Sequence, residues 1–233
     1  MPESKGHKTE SDVEPEARES RPRAADGKEG GTYVGAAGLD DAIDAGETGG
    51  EARRHRGWRP ARLAHDDRVR LLLIADTHVP RRARDLPAQV WDEVARADVV
   101  VHAGDWVAPE LLDELESRAA RLVACWGNND GPELRARLPE RADAVLEGLH
   151  LTVVHETGAT PGRDARMSRL YPDSDVLVFG HSHIPWDTTT KTGLRLLNPG
   201  SPTDRRRQPF CSYMTASVDD GALMDVVLHS LEK

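Results

Sequence analysis

Bulky apolar residues are scarce over positions 1–66, where Glu, Asp, Gly, Arg and Ala dominate, and become regular from Val69 onward. A segment this poor in apolar residues buries too little surface to offset the entropy of ordering it. Positions 1–66 therefore read as a disordered charged tail, closing on the basic stretch Arg53, Arg54, Arg56, Arg59 and Arg62, and positions 67–233 as the folded domain. Within that domain 69–75 is a continuous apolar run, the mark of a strand buried on both faces, and 98–102 and 121–126 repeat it. Between these runs, 89–97 can place Val90, Trp91, Val94 and Ala95 on one helical face. Positions 109–119 do the same with Leu111, Leu112 and Leu115, behind a proline in the first turn. The order β-α-β-α-β predicts a parallel sheet with right-handed crossovers.

The pattern then changes. Positions 144–146 and 150–155 flank Glu147-Gly148-Leu149 and predict a hairpin, 163–170 a helix and 175–180 a further buried strand. Short strands are expected at 186–190, 194–197, 211–218 and 223–229, with turns at Gly193 and Asp219-Asp220-Gly221. The expected class is α/β: a two-sheet α/β sandwich of mixed sheets with flanking helices, parallel in its first half and more antiparallel in its second.

Composition narrows the function. The formal net charge of -9 argues against a grip on long nucleic acid through its phosphates. Cys125 and Cys211 are too few for a disulfide framework or a four-cysteine zinc site, and both lie in apolar runs that predict buried thiols. No apolar run approaches the ~18 residues of a membrane span, and the N-terminus carries no apolar signal region. The expected compartment is the cytoplasm, with no membrane partner; a homo-oligomer is left open.

The residues with metal-ligand chemistry share one kind of position. Asp76 and His78 follow the first predicted strand, Gly104-Asp105 the second and Gly127-Asn128-Asn129-Asp130 the third. His155 ends the hairpin, and Gly180-His181-Ser182-His183 follows the next buried strand. Each pattern alone is ordinary: Gly-Asp is a common turn, and Asn128-Asn129-Asp130-Gly131 suits a loop or a helix cap. His181 and His183, as alternate residues of an extended segment, would point the same way. Open α/β sheets bind ligands beyond the carboxyl ends of their strands, so the series in order points to one site along a sheet edge.

The series Asp76-x-His78, Gly104-Asp105, Gly127-Asn128-x-Asp130, His155 and Gly180-His181-x-His183 resembles the calcineurin-like metallophosphoesterase superfamily. Its short spacings, and Asn198-Pro199-Gly200-Ser201 after the last histidines, resemble the small bacterial and archaeal branch with the YfcE-type phosphodiesterases and the eukaryotic relative Vps29. The resemblance covers about 69–218 and implies a metallophosphoesterase-like fold. It further implies that Asp76, His78 and His183 bind a first metal, that Asn128, His155 and His181 bind a second, and that Asp105 bridges both. Asp105, Asn128, Asp130 and His181 are the catalytic residues it implies, with Asp130 orienting a histidine or the loop from behind the ligands. The cofactors would be two divalent ions, manganese first, with iron, zinc or nickel also suited to imidazole, carboxylate and amide donors. A hydroxide bridging the ions would attack the phosphorus of a small phosphoester, most simply a diester. A weakly active or inactive binding scaffold on the same fold is the alternative.

Two positions depart from the pattern. Asn129 stands where the superfamily often has a histidine to protonate the leaving group, which predicts a preference for esters with good leaving groups. Thr157, in His155-Glu156-Thr157-Gly158, stands where the branch often has a second histidine. Two basic clusters, Arg81, Arg82 and Arg84 and then Arg205, Arg206 and Arg207, are candidates to meet phosphate oxygens or are solvated loops. Trp106, Trp126 and Trp186 lie close to the proposed ligands and suit packing better than base stacking.

Overall fold

Leu71 and Leu73 of β1 (Val69–Ile74) join one hydrophobic cluster and Leu72 and Ile74 another, and all four are buried. This two-sided burial is what a continuous apolar run requires. The computed structural model describes residues 68–231, so the charged segment 1–66 and its arginine stretch lie outside the described residues. After β1 come α1 (Ala88–Arg96), β2 (Val99–Ala103), α2 (Pro109–Arg118) and β3 (Leu122–Cys125), then α3 (Pro132–Arg137), β4 (Arg141–Leu146) and β5 (Leu149–Val154). The chain continues through α4 (Arg163–Leu170), β6 (Val176–Val178), β7 (Trp186–Thr189), β8 (Arg195–Asn198), β9 (Cys211–Asp219) and β10 (Ala222–Leu231).

These strands build two five-stranded sheets, ordered β10-β9-β1-β2-β3 and β4-β5-β6-β8-β7. β1, β2 and β3 are parallel, whereas β9 runs antiparallel to β1 and β10 antiparallel to β9. In the second sheet β5, β6 and β8 are parallel, with β4 and β7 antiparallel at the edges. The last two strands therefore return to the first sheet, and the second sheet has a parallel centre. β9 can do this because Met214, Ala216 and Val218 face the core between the sheets while Tyr213 packs with the helices. β10 is an edge, broken by a register shift between Met224 and Val227, a device that discourages edge-to-edge pairing.

The layers are helix, sheet, sheet, helix. Leu71, Leu73, Val99, Val101 and Val123 meet Leu149, Leu151, Val153, Val176 and Val178 between the sheets. Val90 and Val94 of α1 and Leu111, Leu112 and Leu115 of α2 cover the outside of the first sheet. Met167 of α4 covers Leu177, Phe179 and Leu196 of the second. Three local expectations are corrected. Ala95 is exposed, because Val90 and Val94 suffice to seat α1. Cys211, opening β9, is only half-buried. The helix α3 was not foreseen, because Leu134 is its one buried residue and six residues carry no periodicity. Among the described residues no helix is long and apolar enough to cross a membrane.

Candidate metal centre

The carboxyl ends of the parallel strands of both sheets meet at one place. Asp76 and His78 follow β1, Asp105 follows β2, and Asn128 follows β3, all from the first sheet. His155 follows β5, and His181 and His183 follow β6, from the second. The site therefore lies between two sheets rather than along one sheet edge. Each strand must turn sharply to present its ligand. Asp76, His78, Asp105, His181 and His183 have φ values of 54°, 45°, 63°, 72° and 58°. Asp, Asn and His tolerate this left-handed region better than most residues, yet each costs about 1–3 kcal/mol and persists only where the surroundings impose it. Val107, with φ 86°, is a stronger outlier, and its N–H is held by Asp130 Oδ1 at 2.8 Å.

Two glycines admit the close approach. A Cβ on Gly104 would lie 2.8 Å from both the Gly127 nitrogen and His155 Nδ1, at a φ of 82°. One on Gly180 would lie 2.9 Å from Asp76 Oδ2 and 2.8 Å from the Ala103 carbonyl. The side chains of the two sheets can converge only because these positions lack one.

The donor atoms fall into two overlapping groups. In the first, His78 Nε2 lies 3.2 Å from His183 Nε2, and His183 Nε2 lies 3.4 Å from Asp76 Oδ1. In the second, Asn128 Oδ1 is 3.0 Å from both His155 Nε2 and His181 Nδ1. Asp105 joins them: Oδ2 is 3.6 Å from His78 Nε2, and Oδ1 is 3.3 Å from His155 Nε2. Donors about 2.1 Å from one ion sit roughly 3.0–3.5 Å from each other at octahedral or tetrahedral angles. All the spacings but one fall in that range, and the 3.6 Å between Asp105 Oδ2 and His78 Nε2 lies just above it. His181 and His183 belong to different groups, because the segment bearing them is a turn and not an extended strand.

Backbone carbonyls set the imidazole tautomers. His155 Nδ1–H donates to the Ala103 carbonyl at 2.7 Å and His183 Nδ1–H to the Asp204 carbonyl at 2.6 Å, leaving both Nε2 lone pairs facing the groups. The Asn-Pro-Gly-Ser turn braces two ligand segments: Asn198 Nδ2 donates to the Gly180 carbonyl at 2.9 Å, and Ser201 Oγ to the Asp76 carbonyl at 2.7 Å. Asp130 spends its carboxylate on the backbone N–H groups of Asp105, Val107 and Gly127, so it orients the loops rather than a histidine. Asn129 donates both its backbone and side-chain N–H to Asp105, at 2.8 and 2.6 Å.

The electrostatics favour a cation. Asp76 is fully buried, and burial pushes its pKa up to about 8, with the charge of Asp105 adding to the effect. Its Oδ2 has no hydrogen-bond partner among the described residues, as suits a buried oxygen that meets an ion or a water. Burial also pushes His183 down to about 4, a neutral imidazole ready to ligate. Burial works against the charge of Asp105, but the hydrogen bond and charge of His155 and the N–H donors of Asn129 hold its carboxyl well below the usual range. Burial likewise opposes the charge of His155, and the carboxylates of Asp105 and Asp76 more than offset it, up to about 9, so a metal must displace a proton from Nε2 before its lone pair is free.

Several supporting residues escaped the sequence reading. His102 is buried against Trp106, with ring centroids 3.5 Å apart, and ties the first two ligand loops together through Thr77 Oγ1 and the Gly104 N–H. Arg135 of α3 donates to the carbonyls of Asp130 and Asn128 and lies over Trp126 at 4.2 Å, clamping the Asn128 loop. Glu156 stands beside His155 and His181 of the second group, the three donor atoms close enough together to hold an ion. Of the basic clusters, Arg206 reaches the site, donating to the His181 carbonyl at 3.2 Å, whereas Arg82 pairs with Asp204 at 3.2 Å. Trp106 is core, Trp126 packs under Arg135, and Trp186 packs with Arg163.

Fold and site together define a metal-dependent phosphoesterase. Residues 69–221 match the calcineurin-like phosphoesterase superfamily domain, and the chain belongs to that superfamily. It is 34% identical over 178 residues to the probable metallophosphoesterase MJ0623 of Methanocaldococcus jannaschii, covering 75% of this chain and 89% of that protein. It is 26% identical over 137 residues to phosphodiesterase MJ0936 of the same organism, covering 54% of this chain and 75% of the relative. The structure of vacuolar protein sorting 29 from Cryptosporidium parvum shares the fold, with a TM-score of 0.58 at 22% identity over 72% of this chain and 100% of that one.

Proposed function

We propose that this chain hydrolyses a small phosphoester, in the first instance a diester, at a centre of two divalent cations. Asp76, His78 and His183 would hold one cation, Asn128, His155 and His181 the other, and Asp105 would give one oxygen to each. The observation that carries this reading is the spacing of the donor atoms, 3.0–3.6 Å within each group, with the two oxygens of Asp105 divided between the groups. Bound cations of this kind lower the pKa of water and neutralise phosphoryl oxygens. Imidazole, carboxylate and amide donors suit manganese, with iron, zinc or nickel as competitors.

The remaining steps belong to the side chains. Arg206, anchored on the His181 carbonyl and otherwise exposed, offers guanidinium N–H groups to the phosphoryl oxygens. Asn129 is an amide and is occupied with Asp105, so it holds that carboxylate in place and does not protonate the leaving group. Esters whose alcohol leaves as a stable anion should therefore react fastest. The buried Asp76 oxygen without a hydrogen-bond partner favours a bound cation, and turnover separates an enzyme from a metal-bearing scaffold. The folded domain proposed for this activity is 67–233, preceded by a charged segment over 1–66.

The test is hydrolysis of an aryl phosphodiester and the matching monoester by chelator-treated protein before and after Mn²⁺ is added. Metal-dependent turnover is expected, faster on the diester, and lost by at least a hundredfold in Asp105→Ala and His181→Ala. No turnover with any of Mn²⁺, Fe²⁺, Zn²⁺ or Ni²⁺ would reject the reading.

A further inference from the structure

The two groups of donors are unequally charged. The first holds Asp76 and one oxygen of Asp105; the second holds only the other oxygen of Asp105, with the neutral amide of Asn128 and two imidazoles. They are also unequally enclosed. The side chains of Asp76 and His183 are fully buried, whereas the side chain of His181 is 41% exposed, so the second group opens to solvent on one side. On that side stands Glu156. Its Oε1 lies 3.8 Å from His181 Nδ1, and the donor atoms of His155, Glu156 and His181 all lie within 4.8 Å of one another.

The backbone that carries Glu156 is held firmly. Arg166 of α4 donates to the carbonyls of Thr157, Ala159 and Pro161, fixing the segment that leaves His155. The Glu156 side chain itself is half exposed, so its carboxylate can adjust to an ion by rotation about its own torsions. Thr157 has no comparable reach, being buried and beneath the Arg166 clamp.

We propose that Glu156 is an additional carboxylate ligand of the second cation subsite, closing its open side and supplying the negative charge that Asn128, His155 and His181 lack. The proposal rests on the two-cation reading of the site. It gives the second subsite two carboxylates, an amide oxygen and two imidazoles, a harder set of donors that favours Mn²⁺ over more thiophilic ions.

Calorimetric titration of the chelator-treated full chain with MnCl₂, with metal analysis of the same samples, tests it without reference to turnover. The wild type should take up two ions per chain in two steps. Glu156→Gln, which keeps the size and an oxygen but loses the charge, should weaken one step by at least about tenfold, the loss that even an outer partner of a ligand can produce. The other step should be unchanged. Asn128→Ala should weaken that same step, identifying it as the second subsite. Two wild-type steps with Glu156→Gln indistinguishable would overturn the role of Glu156 alone. So would tighter binding, as expected if Glu156 merely pairs with a protonated His181. Fewer than two ions in the wild type would overturn the two-cation reading, and the role of Glu156 with it.

Discussion

At the scale of single residues, the site separates ligands from the groups that hold them. Arg206 is anchored on the His181 carbonyl, and in the proposed reaction its guanidinium would meet an anionic phosphoryl group. Replacing it by glutamine should raise KM for the phosphodiester by about tenfold, the worth of one hydrogen bond to a charged group, with a smaller change in kcat. Steady-state kinetics would show this, and a fall confined to kcat would place Arg206 elsewhere in the reaction. Arg135 acts at one remove. It takes the carbonyls of Asn128 and Asp130, so Arg135→Ala should free the Asn128 loop and weaken Mn²⁺ binding by about 10–100-fold. Calorimetry would measure that loss. The proposed ligands were legible in the sequence as a set, because Asp, His and Asn just past apolar runs leave a dense trace. His102 and Arg135 were not. A histidine inside an apolar run, and an arginine in a short polar helix, acquire meaning only from what the fold sets beside them.

At the scale of elements, the runs buried on both faces were legible because a buried parallel strand tolerates almost no polar residue. β1 and β2 lie within a residue or so of their expected limits. The helix at Arg163–Leu170 has the expected bounds. The partnership of β9 and β10 with the first sheet was not legible, since strand pairing over such separation is decided by tertiary packing. The hairpin of β4 and β5 matters because β5 delivers His155, and it carries a pH-sensitive pair. Asp143 sits opposite Thr152 in the register and accepts from Thr152 Oγ1 at 2.6 Å and from Arg141 Nη2 at 2.8 Å. Burial alone would raise the Asp143 pKa, but the hydrogen bonds from Arg141 and Thr152 hold it below the usual range. A folded-state pKa that is depressed contributes stability above the unfolded value of about 3.9, lost as pH falls through the folded value. Asp143→Asn should therefore melt below the wild type at neutral pH, and the gap should narrow as pH falls below about 4. Thermal melts across that range would show it; a constant gap would contradict it.

At the scale of the whole molecule, the centre is a seam. Four of its proposed ligands come from the first sheet and three from the second, so an ion bound there ties the two sheets together. Binding to the folded state alone stabilises it by about 2.7 kcal/mol at a hundredfold excess over Kd. Chelator-treated protein should thus unfold at a lower temperature than the Mn²⁺-loaded protein, the gap growing with free Mn²⁺. Scanning calorimetry at several Mn²⁺ concentrations would test this, and an unchanged Tm would mean that Mn²⁺ does not bind the folded state in preference to the unfolded chain.

The sequence by itself determined which residues are proposed to carry the chemistry and that they follow strands, because burial imposes apolar runs and a polar residue stands out just beyond them. Only the tertiary structure decided that these strand ends belong to two sheets. It also turned the segment of His181 and His183 at positive φ, set Asn129 against Asp105, and brought Glu156 to the open side of the second group. Each of these is a distance between segments far apart in the chain or a backbone turn at positive φ. Such relations come from packing, which the order of residues does not express locally.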